Sequence, residues 1–224
     1  IMSGARPASW IVSGRGGTPA LAGVVSGVVE PDGVRLNGRA SFVEDVGPDG
    51  VFLVTASTAS GPVLVLVPSS RPGVEVTAVD SLDLSRRFVE VRFDDVLVPA
   101  AAALGSPSTA EGLGDHLLAL ACTLAVAESV GAMHEEFAMT LQYAKDRIAF
   151  GRPIGSFQGI KHQLADTSLA LELAKAVALA SAEHLGGSTG YEREAASIAE
   201  ALVSDSGVDL AHTCFQVFGG IGYT

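Results

Sequence analysis

In its first half the chain alternates short Val/Leu-rich runs with turn signals. The runs cover residues 21–29, 34–43, 51–56, 62–67, 74–79 and 88–93. They are broken by Pro31-Asp32-Gly33, Gly47-Pro48-Asp49-Gly50, Ala59-Ser60-Gly61 and Arg71-Pro72-Gly73. Regular spacing with such breaks predicts an antiparallel meander, closed as a small barrel or packed as a sandwich. In Phe88-Val-Glu-Val-Arg-Phe93, Val89, Val91 and Phe93 share one face and Glu90 and Arg92 the other, the pattern of a half-buried strand.

Near residues 104–109 the period changes. Leu117, Leu120, Leu124, Ala127, Gly131, His134, Ala138 and Leu141 recur at steps of three and four, which predicts a long helix buried along that stripe. Gly131 inside it costs about 1 kcal/mol relative to Ala, and a close helix–helix contact would be the simple reason to keep it. Asp146 to Pro153 ends this helix, since Pro153 cannot sit deep inside another. A second helix is expected over residues 156–185, a turn at Gly186–Gly190, and a third helix over 192–218. The expected fold class is α+β, a β-barrel or sandwich over residues 1–104 followed by an up-and-down helical bundle over 105–224. That bundle has three helices where four are usual.

Composition narrows the function. The 224 residues are 48% hydrophobic and 17% charged, with a net charge of -11. An acidic chain with dispersed Lys and Arg argues against nucleic acid and against anionic membrane surfaces. No apolar run is expected to approach the roughly 18 residues of a membrane span. Cys122 and Cys214 lie far apart in apolar helical contexts and read as buried free thiols, which points to a reducing, cytoplasmic setting. The start, Ile1-Met2-Ser3-Gly4, lacks the features of a signal peptide and reads as mid-protein. The five histidines show no metal-ligand spacing.

Two motifs carry chemistry. The first is Tyr143-x-x-x-Arg147-x-x-Phe150-Gly151-x-Pro153-Ile154-x-x-Phe157-Gln158, followed by Leu164-Ala165-Asp166. The second is Gln216-x-x-Gly219-Gly220. Together they resemble the C-terminal helical domain of the acyl-CoA dehydrogenase family. The stretch from Asp32 to Val43 resembles the strand pair of that family's β-domain, whose second strand lies against the flavin ring. Phe93-Asp-Asp-Val-Leu-Val-Pro99 resembles the segment that leaves that domain.

The resemblance implies FAD, an acyl-CoA substrate and a homo- or hetero-oligomer in which FAD crosses a dimer interface. It assigns Arg147 to the FAD pyrophosphate, and a planar, always-charged donor suits that group. Arg147 can equally answer the dipole of a helix C-terminus. Phe150 and Phe157 would wall the nucleotide site, although core packing also explains Phe150. Gln158 would hydrogen-bond the dinucleotide, and Gln216, Gly219 and Gly220 would approach its ADP portion. Read alone, Gly219-Gly220 is a helix C-cap. Phe42 and Val43 fall on the flavin-facing strand, and Asp166 reads as structural.

The substrate side departs from the family pattern. Family members remove an α-proton with a carboxylate while flavin N5 takes the β-hydride. Counted back from Arg147, the base position in the long helix falls on Ala121, next to Cys122, with Ala119 nearby. Glu111 and Asp115 lie too early in the helix. The family's other base position would follow Thr224, and its N-terminal helical domain and flavin loop have no counterpart in this sequence. Glu44 stands where the family has a hydroxyl, and Arg86-Arg87-Phe88 lacks the family's Ser. The catalytic residue is therefore open. Beside a catalytic dehydrogenase stand an FAD-sharing, non-catalytic subunit of a heteromeric dehydrogenase, a flavin monooxygenase of the same fold and a non-enzymatic scaffold.

Overall fold

The computed structural model describes residues 6–12, 24–105, 107–186 and 190–223. The expected start of the first strand at residues 21–23, the turn residues 187–189 and Thr224 lie outside them. The chain divides into two compact units, Ile1–Asp115 and His116–Thr224.

The first unit is built on an eight-stranded sheet. Its strands are β1 (Ala8–Ile11), β2 (Val25–Glu30), β3 (Gly33–Glu44), β4 (Val51–Thr58), β5 (Gly61–Pro68), β6 (Val74–Val79), β7 (Phe88–Pro99) and β8 (Ala103–Leu104). Seven of them follow the order β6-β7-β3-β2-β4-β5-β8, and β1 pairs with β4. The expected meander is not purely antiparallel, because β1 and β2 both run parallel to β4. The link from β3 to β4 carries the chain across to β2 instead of making a hairpin. Trp10 Nε1 donates to Thr55 Oγ1 at 2.9 Å and ties β1 to β4.

The core comprises alternate residues of β3 and β7 and near-continuous apolar runs of β4 and β5, including Leu36, Phe52, Val54, Val65, Val91 and Phe93. Val89, Val91 and Phe93 are buried together as the sequence alternation requires. β7 runs six residues past the expected end at Phe93. An extra residue at Asp94-Asp95 makes a bulge against β3, and Asp95 takes φ 54 there. Asn37 Oδ1 accepts the Asp95 N–H at 2.9 Å, and Arg35 bridges Glu30 and Asp95.

The second unit is a helical bundle. Its elements are α1 (Pro107–Asp146, whose opening turns go with the first unit), a short hairpin of β9 (Ile148–Ala149) and β10 (Arg152–Pro153), α2 (Gln158–His184) and α3 (Glu192–Phe218). Val126 and Met133 of α1 pack with Leu171 and Ala174 of α2 and with Ala199, Val203, Leu210 and Cys214 of α3. A buried hydroxyl pair, Thr123 Oγ1 and Ser181 Oγ at 2.6 Å, joins α1 to α2. Glu192 accepts the Gly186 N–H at 3.0 Å and lies 3.1 Å from His116 Nδ1, which links the start of α3 to the α2 turn and to α1.

The buried face of α1 is not the expected one. Ala119, Thr123, Val126, Met133, Thr140 and Ala144 are buried, while Leu124, Ala127, Gly131, His134 and Ala138 are exposed. A Cβ at Gly131 would meet nothing within 4 Å, so no close helix contact accounts for it among the described residues. α1 carries small and apolar residues on almost every side, so periodicity alone could not select the face that α2 and α3 cover. The same composition corrects a second expectation. The helix over Gly112–Asp146 is long and apolar enough, by length and composition, to cross a membrane. Here one side of that helix packs into the bundle core.

Candidate functional site

The two sequence motifs, some sixty residues apart, meet at one end of the bundle. Tyr143 near the end of α1 stacks with Phe218 at the end of α3, with ring centroids 4.7 Å apart. Beneath them Ala144, Leu164 and Val217 form a small core, with Ile154 and Ile160 against it. The chain from α1 to α2 is folded tightly here. Arg147 N–H donates to the Tyr143 carbonyl at 2.8 Å, and Ile154 N–H donates to the Arg147 carbonyl at 2.8 Å. A Cβ at Gly155 would come within 2.9 Å of the Ala144 carbonyl oxygen, so only glycine lets this turn lie on α1.

The β9–β10 hairpin closes through Phe150-Gly151, with φ 51 and 78. Positive φ at both central residues is the primed turn that suits strand twist, and Asn or Gly is its usual occupant. Phenylalanine there costs about 1–2 kcal/mol. Its ring is 96% exposed, which overturns core packing as its explanation. It meets Phe157 edge-on at 6.3 Å, and the Arg152 guanidinium lies 4.0 Å over the Phe157 ring.

Arg147 and Gln158 are exposed, and Arg147 has no ion-pair partner among the described residues. Ser156 Oγ is buried with no hydrogen-bond partner among the described residues, one residue before Phe157. At the end of α3, Gln216, Gly219 and Gly220 border an open cavity of about 610 Å³ together with His212, Phe215 and Tyr223. Gly219 has φ 64, the glycine-favouring region, and a Cβ at Gly219 or Gly220 would meet nothing within 4 Å. This end therefore offers unpaired positive charge, exposed rings, an orphaned hydroxyl and open backbone, which fit an anionic, partly aromatic ligand such as a dinucleotide. Asp166 is exposed on α2, away from these groups in sequence and with no ion pair among the described residues.

In the first unit the flavin-strand residues split. Phe42 is exposed at φ 57, where an extra β3 residue bulges against β7, and Val43 is buried in the sheet core at 3%. Only Phe42 offers a side chain, and Val43 is left with its backbone. Glu44 is held in an ion pair by Arg86.

The base position in the long helix holds no acid. Ala121 is exposed and Ala119 buried. Burial, with Glu200 beside it, pushes the Cys122 thiol up to about 11, so it is neither base nor nucleophile at neutral pH. A carboxylate that the sequence did not single out is Glu136. It borders a cavity of about 600 Å³ with Met139, Tyr143, Phe215, Phe218 and Ile221, and burial raises its pKa.

Residues 117–224 match the family model described as acyl-CoA dehydrogenase, C-terminal domain. Residues 117–224 belong to the acyl-CoA dehydrogenase family. It is 32% identical over 197 residues to acyl-CoA dehydrogenase FadE27 of Mycobacterium tuberculosis, covering 85% of this chain and 52% of that protein. It is 29% identical over 198 residues to the probable acyl-CoA dehydrogenase YngJ of Bacillus subtilis, covering 84% of this chain and 51% of that protein. Among solved structures it superposes on a chain of the ChsE4-ChsE5 complex from Mycobacterium tuberculosis with a TM-score of 0.85 and 29% identity, covering 99% of this chain and 58% of that one. The chain spans about half the length of the curated relatives it matches.

Arg152, Ser156 and the ring pair Tyr143–Phe218 were not singled out as site residues from sequence. Arg152 had a usable signal, a second arginine five residues after Arg147 in an acidic chain. The orphaned hydroxyl and the long-range stacking had none, since both depend on packing between distant segments.

Proposed function

We propose that the chain is the β-domain and helical part of an FAD-dependent acyl-CoA dehydrogenase, acting on an acyl-CoA thioester by α,β-desaturation. The observation that carries this is that the segments holding the two motifs come together at one end of the bundle, through the Tyr143–Phe218 ring pair and the small core of Ala144, Leu164 and Val217. Arg147 would hold the FAD diphosphate through two parallel N–H donors. Phe150 and Phe157 would exclude water from the nucleotide. Gln158 and Gln216 would hydrogen-bond it, and the bare backbone of Gly219-Gly220 admits its close approach. The chemistry FAD supplies when bound is acceptance of the β-hydride. We assign Phe42 to the face of the flavin ring. Proton abstraction needs a carboxylate with a tuned pKa, and none stands at Ala121.

A second reading is favoured by that same absence. The chain would be an FAD-sharing subunit of a heteromeric dehydrogenase, lending Arg147, Gln158 and Gln216 to a partner's cofactor. Its likeness to a chain of the ChsE4-ChsE5 complex supports this reading. In either case the protein works as an oligomer of acyl-CoA dehydrogenase-like subunits, in a cytoplasmic setting. Anaerobic addition of a panel of acyl-CoAs to the purified, flavin-loaded protein separates the two. Bleaching without any co-expressed paralogue supports the self-sufficient dehydrogenase. Bleaching only with a paralogue supports the shared subunit. Bound flavin that no thioester bleaches in either preparation contradicts both.

A further inference from the structure

Arg152 lies on the β9–β10 hairpin directly opposite Ala149, and Arg147 stands two residues before Ala149. The Ile154 N–H to Arg147 carbonyl bond extends the ladder to that pair. Residues opposite each other, and residues two apart, share a face of a hairpin, so both arginines leave on the same side, with Cα atoms within about 8 Å. The chain has 25 acidic residues against 14 basic ones. In that background Arg35, Arg39, Arg86 and Arg92 are each held by carboxylates. Arg147 and Arg152 have no carboxylate partner among the described residues. Arg152 is not loose either, because its guanidinium is seated on the Phe157 ring at 4.0 Å. Stacking fixes the plane of a guanidinium while leaving its N–H edges free for an anion.

We propose that Arg152 is a second diphosphate-binding residue and that the pair Arg147–Arg152 selects a dinucleotide over a mononucleotide. This rests on reading this end of the bundle as a dinucleotide site. A diphosphate bridge carries one charge on each phosphate, and two guanidiniums on one face meet both. A monophosphate such as that of FMN uses only one of them. Phe157 acts on Arg152 as a platform, and Phe150 meets Phe157 edge-on beside it.

The test is titration of the flavin-free intact protein with FAD and with FMN, followed by flavin fluorescence, for wild type, R152Q, R152K and R147Q. Thermal unfolding of each flavin-free variant is recorded alongside. R152Q is expected to weaken FAD about tenfold to a hundredfold, the effect of one charge-assisted hydrogen-bonding group. Its FAD affinity should depend less on salt than that of wild type, with FMN affinity and thermal midpoint unchanged. R152K, which keeps charge but not the planar stack, should fall between the two. R152Q that binds FAD like wild type while R147Q is weakened overturns the role of Arg152 and leaves the dinucleotide site standing. Equal loss of FAD and FMN, or loss matched by a lower thermal midpoint, also overturns it, since Arg152 would then be supporting the fold. FAD binding unchanged in all three variants removes the dinucleotide reading itself.

Discussion

Phe150 holds a left-handed backbone at φ 51 to present a ring that the chain itself leaves 96% exposed. Strain of this kind, kept where an Asn or Gly would be comfortable, concentrates at ligand-binding positions. Phe150→Asn relieves the strain while removing one edge-on ring contact. The two effects are each about 1 kcal/mol and oppose one another, so unfolding free energy should change by less than about 1 kcal/mol. FAD affinity should fall by at least severalfold in the same variant. Denaturant melts with flavin titration check this, and a variant that loses stability but keeps affinity contradicts it. The sequence named the motif that contains Phe150 and left its role between wall and core. Exposure removes core packing within this chain and leaves the wall as the proposal, and exposure depends on a turn conformation that no residue pattern here announces.

Helix ends were the most legible elements, because Gly, Pro and polar residues punctuate them: α3 runs Glu192–Phe218, the expected span. The buried side of α1 was the least legible, because polar Thr123 and Thr140 lie inside and Leu124 outside. Thr123 is buried because Ser181 answers its hydroxyl. Thr123→Val should cost about 1–3 kcal/mol by orphaning Ser181, and adding Ser181→Ala should recover much of that. A double-mutant cycle by denaturant unfolding measures it, and additive losses would show that the pair is not coupled.

At the other end of the bundle, the Gly186 N–H, followed by the His116 hydrogen bond, lowers the Glu192 pKa. A carboxylate held below its unfolded value contributes stability above the ordinary carboxylate range and loses it as pH falls through the folded value. Glu192→Gln should therefore lower the thermal midpoint at pH 7, and the difference should shrink as pH falls below the ordinary carboxylate range. An offset that stays constant as the pH is lowered contradicts this account.

Across the whole molecule, the succession of strands and then helices could be read from hydrophobic periods, while the compact units divide at Asp115–His116, inside the first helix and not at residue 104. The parallel pairings of β1 and β2 with β4 could not, since strand order depends on where a loop carries the chain and not on the pattern inside a strand. The candidate site was legible because its motifs combine charge, ring and glycine at fixed spacing. What the sequence did not say is that both arginines of the hairpin stand without a carboxylate partner among the described residues in a chain of net charge -11. The central claim is that this end of the bundle binds a dinucleotide diphosphate through Arg147. It is tested most directly by the flavin content of the intact protein as purified, beside its Arg147→Gln variant, with far-UV circular dichroism showing that both are folded. The account predicts bound FAD in the wild type and its loss from the folded variant. FAD retained undiminished after Arg147→Gln would contradict it.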